Sequence, residues 1–208
     1  MGKGIFLVLE GIDGTGKSTQ AKLLHEAVLQ KGHPVMLTRE PGGTPLGESI
    51  RDILLTSDLS MNTWAEILLY SAARGQLVGE VIRPSLQKGN IVICDRYILS
   101  SLAYQGYGRG GDPELILEIN QRVTEGLWPH MIFILDLEVE KSRQRLEVGN
   151  PKASKDRLER MDIDFYRKVR QGYLDFARRY PSITRVIPSD QPLEKVHKQI
   201  LGYLEDLL

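Results

Sequence analysis

The sequence has 208 residues, of which 27 are basic and 27 acidic, so its formal net charge is zero. A chain of this length fits one compact domain that folds without disulfide bonds or structural metal ions. Its single cysteine, Cys94, cannot form an internal disulfide. Because the net charge is zero, the molecule lacks the overall electrostatic field by which general nucleic-acid-binding or membrane-binding proteins attract their partners. The longest apolar runs, at 5–9 and 131–135, fall far short of the roughly 20 residues that span a bilayer, and the amino terminus lacks a secretory pattern. We therefore expect a cytoplasmic protein with no nucleic-acid and no membrane partner.

Apolar runs and amphipathic stretches alternate along the chain. Short runs rich in β-branched residues, typical of buried parallel strands, occupy 5–10, 34–38, 91–95, 131–135 and 184–187. Apolar residues at three- and four-residue spacing predict helices over 18–31, 63–87, 113–127, 155–179 and 193–207. Without repeats or linkers, these elements predict one α/β domain over 1–208, a doubly wound, five-stranded parallel sheet with helices on both faces. Such sheets bind ligands beyond the carboxyl ends of their strands.

The loop after the first predicted strand carries a phosphate-binding pattern. The motif G-x-x-x-x-G-K-[ST], followed by Thr19, is filled by Gly11, Ile12, Asp13, Gly14, Thr15, Gly16, Lys17 and Ser18. Backbone N–H groups of such a loop surround a phosphate, while the lysine reaches the β and γ phosphates and the hydroxyl ligates Mg²⁺. The alternative is a glycine-rich turn that only caps a helix. The complete pattern between a strand and a helix favours a nucleoside triphosphate.

Charged side chains also follow the second and third predicted strands. Asp95 has the position of a Walker-B carboxylate that holds Mg²⁺, as the Ser18 hydroxyl does. Arg39 and Arg96 would face the phosphate loop, and arginine matches phosphate bidentately, so the pair favours a second, acceptor phosphate. Alternatively, Arg39 pairs with Glu40 or another neighbour, and Arg96 with Asp95.

Two further features are ambiguous from the sequence. Tyr70 and Arg74 share a helix face, where they either hold a nucleobase or are a core tyrosine and a solvated arginine. The segment at about 141–160 has seven basic residues against three acidic ones and is interrupted by Gly-Asn-Pro at 149–151. Beside a triphosphate site it is interpreted as a lid that brings arginine onto the transferring phosphoryl group, although a charged run can also be a solvated surface.

Together these motifs closely resemble the bacterial thymidylate kinases of the P-loop nucleoside monophosphate kinase family. The resemblance rests on the loop at 11–18, the run TREPGGTPLG at 38–47, and Asp95-Arg96-Tyr97 followed by Ser100 and AYQG at 103–106. It implies transfer of the γ-phosphoryl group of ATP to dTMP, giving dTDP for dTTP synthesis, with Mg²⁺, in a cytoplasmic homodimer. The helix at 63–87 is a candidate dimer surface.

The resemblance also implies roles for individual residues. Lys17, Asp13, Arg39 and Arg96 would be catalytic, with Arg39 and Arg96 holding the acceptor phosphate and Asp13 taking the sugar hydroxyl. The residues expected to bind dTMP are Asp13, Arg39, Pro41, Tyr70, Arg74, Arg96, Tyr97, Ser100, Ser101, Tyr104 and Gln105.

At the base, the resemblance places Tyr70 in a stack on thymine and Arg74 at a base oxygen. Ser101 and Gln105 would meet the hydrogen-bonding edge, and Tyr104 would crowd the 2′ position of a ribose.

Two positions depart from relatives of this family. Position 70 is often Phe, so the hydroxyl of Tyr70 needs a polar partner. Eukaryotic-type relatives carry Arg where this chain has Gly14, so the catalytic arginine should come from the lid, with Arg143, Arg145 and Arg157 as candidates.

Two other protein classes stay open at this point. Another nucleotide kinase of the same fold would share the phosphate loop and is separated only by acceptor competition. A GTP-binding switch protein needs Asn-Lys-x-Asp to read guanine, and none of the asparagines at 62, 90, 120 and 150 is followed by lysine.

Overall fold

The computed structural model describes residues 4–55, 59–149, 157–205 and 207, and within them lies one parallel sheet of five strands. The strands are β1 (Ile5–Glu10), β2 (Val35–Arg39), β3 (Ile91–Asp95), β4 (Met131–Asp136) and β5 (Thr184–Pro188). Their order across the sheet is β2-β3-β1-β4-β5, and every neighbouring pair is parallel. The predicted fold class and all five predicted strands are confirmed, with ends that differ by at most one residue.

Helices connect the strands. They are α1 (Lys17–Gln30), α2 (Pro45–Leu55), α3 (Thr63–Leu77), α4 (Arg83–Gln87), α5 (Ile98–Ser101), α6 (Pro113–Val123), α7 (Val139–Gly149), α8 (Ile163–Arg179) and α9 (Leu193–Glu205). Two π-helical segments continue the helices before them: π1 (Val78–Ile82) joins α3 to α4, and π2 (Leu102–Gly108) extends α5. No helix among the described residues combines the length and apolar character needed to cross a membrane.

The predicted helix at 155–179 was wrong at its start. Residues 157–160 form turns, and α8 begins after Asp162, whose side chain accepts a hydrogen bond from the backbone N–H of Phe165 at 2.7 Å. An aspartate that caps its helix in this way satisfies an N–H group that has no partner within the helix. Residues 150–156 of the predicted lid, including the Gly-Asn-Pro break from residue 150 onward, lie outside the described residues.

The sheet is buried on both faces. Alternate residues of each strand point to opposite sides, so β1 sends Phe6 and Val8 to one core and Leu7 and Leu9 to the other. Helices α3, α5 and α8 cover the first face, and α1 and α9 cover the second. The parallel register aligns Leu9 with Asp95 and Arg39 with Asp95, so β1, β2 and β3 end side by side. The polar residues that follow these strands therefore meet at one edge.

Candidate active site

The phosphate loop runs from β1 into α1 and closes on the side chain of Lys17. Lys17 is 6% exposed, and its Nζ donates to the carbonyl oxygen of Ile12 at 2.8 Å. Gly14 has φ +78°, and a Cβ there would lie 2.7 Å from the carbonyl oxygen of Ser142 on α7. This position requires glycine because α7 packs directly against the loop. The start of the predicted lid is thus docked on the phosphate loop.

Charge and burial set the pKa of Lys17. Burial and the positive charge of Arg96 lower this pKa to about 8, although the nearby carboxylates of Asp13 and Asp95 act in the opposite direction. The Nζ of Lys17 lies 3.8 Å from Oδ1 of Asp13. Lysine is therefore still mainly protonated at neutral pH, but it is close to the range in which it loses its charge.

A hydroxyl and a carboxylate meet at the edge of the loop. Ser18 Oγ donates to Asp95 Oδ2 at 2.5 Å, which joins the start of α1 to the end of β3. These oxygen donors fit Mg²⁺, which is commonly held by one or two protein oxygens together with substrate phosphates. Among the residues that the structure describes, no group of three or more His, Cys, Asp or Glu side chains could hold a metal by itself.

Arg96 occupies a left-handed backbone conformation, with φ +74°, directly after β3. Its backbone N–H donates to the carbonyl oxygen of Leu9 at 2.9 Å, which holds this uncommon conformation. Its guanidinium pairs through Nη2 with Asp13, and its Nη1 donates to Gly11 O at 3.2 Å and to Ser100 Oγ at 3.1 Å. The alternative in which Arg96 pairs with Asp95 is therefore wrong.

Asp13 is held as a carboxylate. Burial raises its pKa, but the positive charges of Arg96 and Lys17 and a hydrogen bond from Tyr104 outweigh burial and lower the pKa to about 2. Tyr104 OH donates to Asp13 Oδ2 at 3.0 Å. Asp13 is therefore an ionised acceptor at any physiological pH.

A buried carboxylate beneath Arg96 was missed by the sequence analysis. Glu10, the last residue of β1, is fully buried, and burial raises its pKa above the usual range. Its carboxylate accepts from the backbone N–H of Tyr97 at 2.8 Å, from Ser100 Oγ at 2.7 Å and from Tyr173 OH at 3.1 Å. Glu10 thereby fixes the turn that presents Arg96. An acidic residue that ends an apolar strand was its signal in the sequence.

Arg39 lies at the exposed rim of the loop. It is 53% exposed, and its Nη2 donates to the carboxylate of Glu48 at 2.9 Å. Glu48 also accepts from the backbone N–H of Gly43 at 2.8 Å. The prediction that Arg39 pairs with a neighbour thus holds for Glu48, whereas Glu40 bonds elsewhere.

The Arg74 side chain is not exposed to solvent. It also does not line the smaller of the two cavities at this edge of the sheet. It is 1% exposed, and its Nε donates to Glu40 Oε2 at 2.7 Å. Its Nη1 donates to Ser101 Oγ at 3.0 Å and to Asn120 Oδ1 at 2.5 Å, and its Nη2 donates to the carbonyl oxygen of Tyr97 at 3.0 Å. Burial raises the pKa of Glu40 to about 7 despite the opposing charge of Arg74. Arg74 therefore organises the wall behind the site.

Two adjoining cavities lie at this edge of the sheet. The loop cavity, about 420 Å³, is lined by Gly14, Gly16, Lys17, Ser18, Thr19, Arg39, Asp95 and Arg145 among others. The second cavity, about 100 Å³, is lined by residues including Pro41, Tyr70, Ser100, Ser101, Tyr104 and Gln105. The residues that line both are Asp13, Glu40, Arg51 and Arg96. The structure thus gathers most of the predicted substrate-binding residues around these two adjoining cavities.

Tyr97 departs from its predicted place. Its side chain is 1% exposed, packs edge-on against Phe6 with ring centroids 5.0 Å apart, and donates from its OH to the carbonyl oxygen of Leu127 at 3.1 Å. The ring belongs to the core because Arg96 turns the chain and sends the next side chain inward. The Tyr97 side chain therefore belongs to the core, and a role of residue 97 in binding dTMP stays a prediction.

The three candidate lid arginines lie in different environments. Arg145 lines the loop cavity. Arg143 donates to a main-chain carbonyl, and its guanidinium lies over the ring of Tyr166, 5.9 Å from its centroid. Arg157 donates from Nη1 to Glu66 Oε2 at 2.6 Å. Arg143 and Arg157 are thus engaged away from the loop. Arg145 lies beside the loop, although it also donates to the carbonyl oxygen of Ser189 at 2.8 Å. The catalytic role of these three arginines stays a prediction.

Fold and site together define a class of protein. A phosphate loop with a buried lysine, a serine–aspartate pair suited to Mg²⁺ and a second cavity entered past arginines are the features of a P-loop enzyme that transfers phosphoryl groups between nucleotides.

Comparison with known proteins identifies the family within that class. The sequence profile "Thymidylate kinase" matches residues 9–200. The thymidylate kinase of Halothermothrix orenii is 46% identical over 198 residues, covering 95% of each chain, and that of Pelotomaculum thermopropionicum is 47% identical over 207 residues, covering 99% of this chain and 95% of the other. The crystal structure of thymidylate kinase from Ehrlichia chaffeensis superposes with a TM-score of 0.79 at 36% identity, covering 98% of this chain and 99% of the other.

The chain therefore belongs to the thymidylate kinase family, whose members are ATP- and Mg²⁺-dependent kinases that phosphorylate dTMP to dTDP. The resemblance predicted from the motifs is confirmed, and the two other classes left open by the sequence are excluded.

Proposed function

We propose that this chain transfers the γ-phosphoryl group of ATP to the phosphate of dTMP. An oxygen of the dTMP phosphate bonds to the γ-phosphorus as the bond between that phosphorus and the β–γ bridging oxygen breaks, giving dTDP and ADP for dTTP synthesis. The observation that carries the proposal is the meeting of the loop cavity and the second cavity at Asp13 and Arg96. Two nucleotides that occupy these cavities have their phosphates at the shared wall.

On the donor side, the loop at 11–18 surrounds the ATP phosphates and Lys17 supplies a positive charge to the β and γ groups. Ser18 and Asp95 are the residues that would hold Mg²⁺, which neutralises phosphate charge when it is bound. Arg145 is the lid arginine best placed to reach the transferring group, because it lines the loop cavity. The segment at 141–160 would act as the lid of a single domain.

On the acceptor side, Arg39 and Arg96 bind the dTMP phosphate, and Asp13 accepts a hydrogen bond from the sugar hydroxyl. The dTMP phosphate is already an anion at neutral pH, so the transfer requires no general base. The protein then accelerates the transfer mainly by positioning the two phosphates and neutralising their charge. Tyr104, bonded to Asp13 at 3.0 Å, crowds the 2′ position.

At the base, Tyr70 stacks on thymine, and Ser101 and Gln105 meet its hydrogen-bonding edge. Arg74 has a revised role: it positions Ser101 by a 3.0 Å hydrogen bond, since its Nε and both Nη atoms are already directed at protein acceptors.

The proposal is tested by separating the products of ATP, Mg²⁺ and dTMP by chromatography, with dUMP as the comparison. We expect dTDP and ADP in equal amounts. Thymine carries one methyl group more than uracil, and in a fitted pocket that group contributes roughly 1–3 kcal/mol of binding free energy. The kcat/KM for dUMP should therefore be lower than that for dTMP by roughly 10- to 200-fold. Equal kcat/KM values for the two acceptors would contradict a pocket fitted to the methyl group.

The lowered pKa of Lys17 gives a pH dependence with a definite sign. Triphosphate charge favours protonated lysine, so ATP binds the protonated form and its affinity is lost as the pH rises through about 8. Between pH 7.5 and pH 9 the Kd for ATP should rise by about eightfold, as follows from proton linkage. Isothermal titration calorimetry in buffers of different ionisation enthalpy measures both Kd and proton uptake. A Kd that stays constant over this range, or one that changes equally in Lys17→Met, would contradict the assignment.

We also propose a homodimer formed through α2 and α3 of two copies, in the cytoplasm, where nucleotide precursors are made and used. The support is three exposed apolar side chains, Ile53 on α2 and Trp64 and Leu68 on α3, the last 55% exposed. Light scattering coupled to size exclusion should give twice the chain mass, and Leu68→Glu should give the single mass. Leu29→Glu on α1, at a similar exposure of 58%, is the matched control and should remain dimeric. A dimer that survives Leu68→Glu would contradict this surface.

A further inference from the structure

Glu66 is a buried carboxylate on α3, beside the second cavity, that the proposed mechanism does not use. It is fully buried, and its Oε1 accepts from Gln105 Nε2 at 2.7 Å. Its Oε2 accepts from Arg157 Nη1 at 2.6 Å and lies 3.5 Å from Arg109 Nη2. Gln105 and Arg109, which are four residues apart, and the distant Arg157 therefore converge on this one side chain.

This contact determines which way the amide of Gln105 points. Two arginines face Oε2 of Glu66, and Gln105 Nε2 donates to its Oε1 at 2.7 Å, so the NH₂ group of Gln105 is turned toward Glu66. The reverse orientation would place two oxygens at 2.7 Å with no hydrogen between them. Because Gln105 lines the second cavity, the amide oxygen Oε1 is the group that it can offer there.

A second contact determines the polarity of Ser101, one helical turn before Gln105. Arginine only donates hydrogen bonds, and Arg74 Nη1 donates to Ser101 Oγ at 3.0 Å. The hydroxyl hydrogen of Ser101 is therefore free to be donated to a ligand. The lining of the second cavity thus includes a donor from Ser101 and an acceptor from Gln105, four residues apart in the chain.

This order of donor and acceptor is complementary to one class of pyrimidine. Thymine and uracil place the O4 acceptor next to the N3–H donor, whereas cytosine places an N4 donor next to the N3 acceptor. We propose that Glu66 is a positioning residue that selects bases with an N3–H group by fixing the amide oxygen of Gln105 toward the ligand. The inference rests on the proposed function of the second cavity and assigns its selectivity against cytosine to a residue that does not touch the base.

The two arginines make the proposal testable with an isosteric change. In Glu66→Gln, Arg157 and Arg109 still require an acceptor, so the new amide turns its oxygen to them and its NH₂ group to Gln105. Gln105 must then reverse and present its own NH₂ group to the cavity. Such a group donates to N3 of cytosine and opposes the N3–H of thymine.

The experiment compares kcat/KM for dTMP and dCMP in the wild type, Glu66→Gln and Glu118→Gln. The last is a matched control, because Glu118 forms an exposed ion pair with Arg122 on α6. We expect Glu66→Gln to raise the dCMP to dTMP ratio at least tenfold, mainly through a higher KM for dTMP, and Glu118→Gln to leave it unchanged. A site built around a hydrogen bond discriminates by far more than tenfold, so the change is measurable.

A merely structural role for Glu66 would lower the activity with both acceptors by the same factor, and that result would overturn the proposal. If Glu66→Gln does not fold, Glu66→Asp serves instead: its carboxylate stays with the arginines but is one carbon too short to hold Gln105, so the ratio should rise at least threefold. An unchanged ratio in a folded Glu66→Asp protein would also overturn the proposal.

The proposed function and the role of Glu66 can be tested independently of each other. If the wild type does not phosphorylate dTMP, the same ratio is measured as the Kd values of dTMP and dCMP by calorimetry. Tighter binding of dTMP that Glu66→Gln abolishes would still support the role of Glu66, and equal binding in both proteins would exclude it.

Discussion

Replacing Lys17 with Met is expected to lower kcat by roughly 10²–10³-fold, the usual effect of removing one preorganised group that stabilises charge in the transition state. Lys17 is a buried cation of the phosphate loop, at 6% exposure, and its Nζ donates to the carbonyl oxygen of Ile12 at 2.8 Å. Methionine keeps the length and the apolar stem, so the loss isolates the charge. The measurement is steady-state ADP release at saturating ATP and dTMP.

The same variant should leave acceptor binding nearly intact. Asp13 keeps its closest cation, Arg96, when Lys17 is lost, so the KM for dTMP should stay within about threefold. Lys31→Met is a matched control, because Lys31 pairs with Glu205 on the surface. A kcat for Lys17→Met within tenfold of the wild type would contradict the role assigned to the loop.

Replacing Arg96 with Ala is expected to lower kcat/KM for dTMP at least tenfold, while the Kd for ATP changes by less than about threefold. The guanidinium stands where the two cavities meet and is the ion-pair partner of Asp13. Its loss removes a bidentate phosphate ligand and also leaves the Asp13 carboxylate, which is 27% exposed, without its closest cation, so the variant should also be less stable. Unfolding temperatures must therefore accompany the kinetics.

Arg96→Lys separates these two effects. Lysine keeps the positive charge beside Asp13 but lacks the planar fork that matches phosphate, so stability should largely return while kcat/KM stays low. Arg122→Ala, which removes an exposed ion pair with Glu118, should change neither quantity. If Arg96→Ala had unchanged kcat and unchanged KM for dTMP, Arg96 would not belong to the acceptor site.

Local patterns explain why the sheet and the phosphate loop could be predicted. The strands are apolar on both faces, as a parallel sheet requires, and the loop motif depends on residues that are neighbours in the chain. The strand ends carry a signal of the same kind, since parallel strands bring residues that follow them to one edge. For this reason Arg96 and Asp95 could be placed near the loop before the structure was known.

Helix α2 shows what a better use of local signals could have found. The run at 41–47 is rich in glycine and proline, yet α2 begins within it, at Pro45. Thr44 Oγ1 accepts from the backbone N–H of Gly47 at 3.0 Å, which is an N-terminal cap followed by proline at the first helical position. Threonine followed by proline was the available signal.

The buried charges could not be predicted, because their partners lie far away in the chain. Glu66 meets Arg157 across 91 residues, and Arg74 meets Glu40 across 34. Both interpretations of Arg74 from its spacing to Tyr70 assumed a ligand or solvent as its partner. Only the tertiary structure shows that its Nε and both Nη atoms donate to protein acceptors.

The most direct test of the account is release of ADP from ATP and Mg²⁺ by the wild type, with dTMP, dUMP, UMP, dCMP and dGMP compared as acceptors in one coupled assay. The account predicts a clear preference for dTMP, lower activity with dUMP, still lower activity with UMP because Tyr104 crowds the 2′ position, and strong rejection of dCMP. Folded protein that binds ATP but turns over none of these acceptors, or prefers dCMP or dGMP to dTMP, would contradict the assignment of the second cavity.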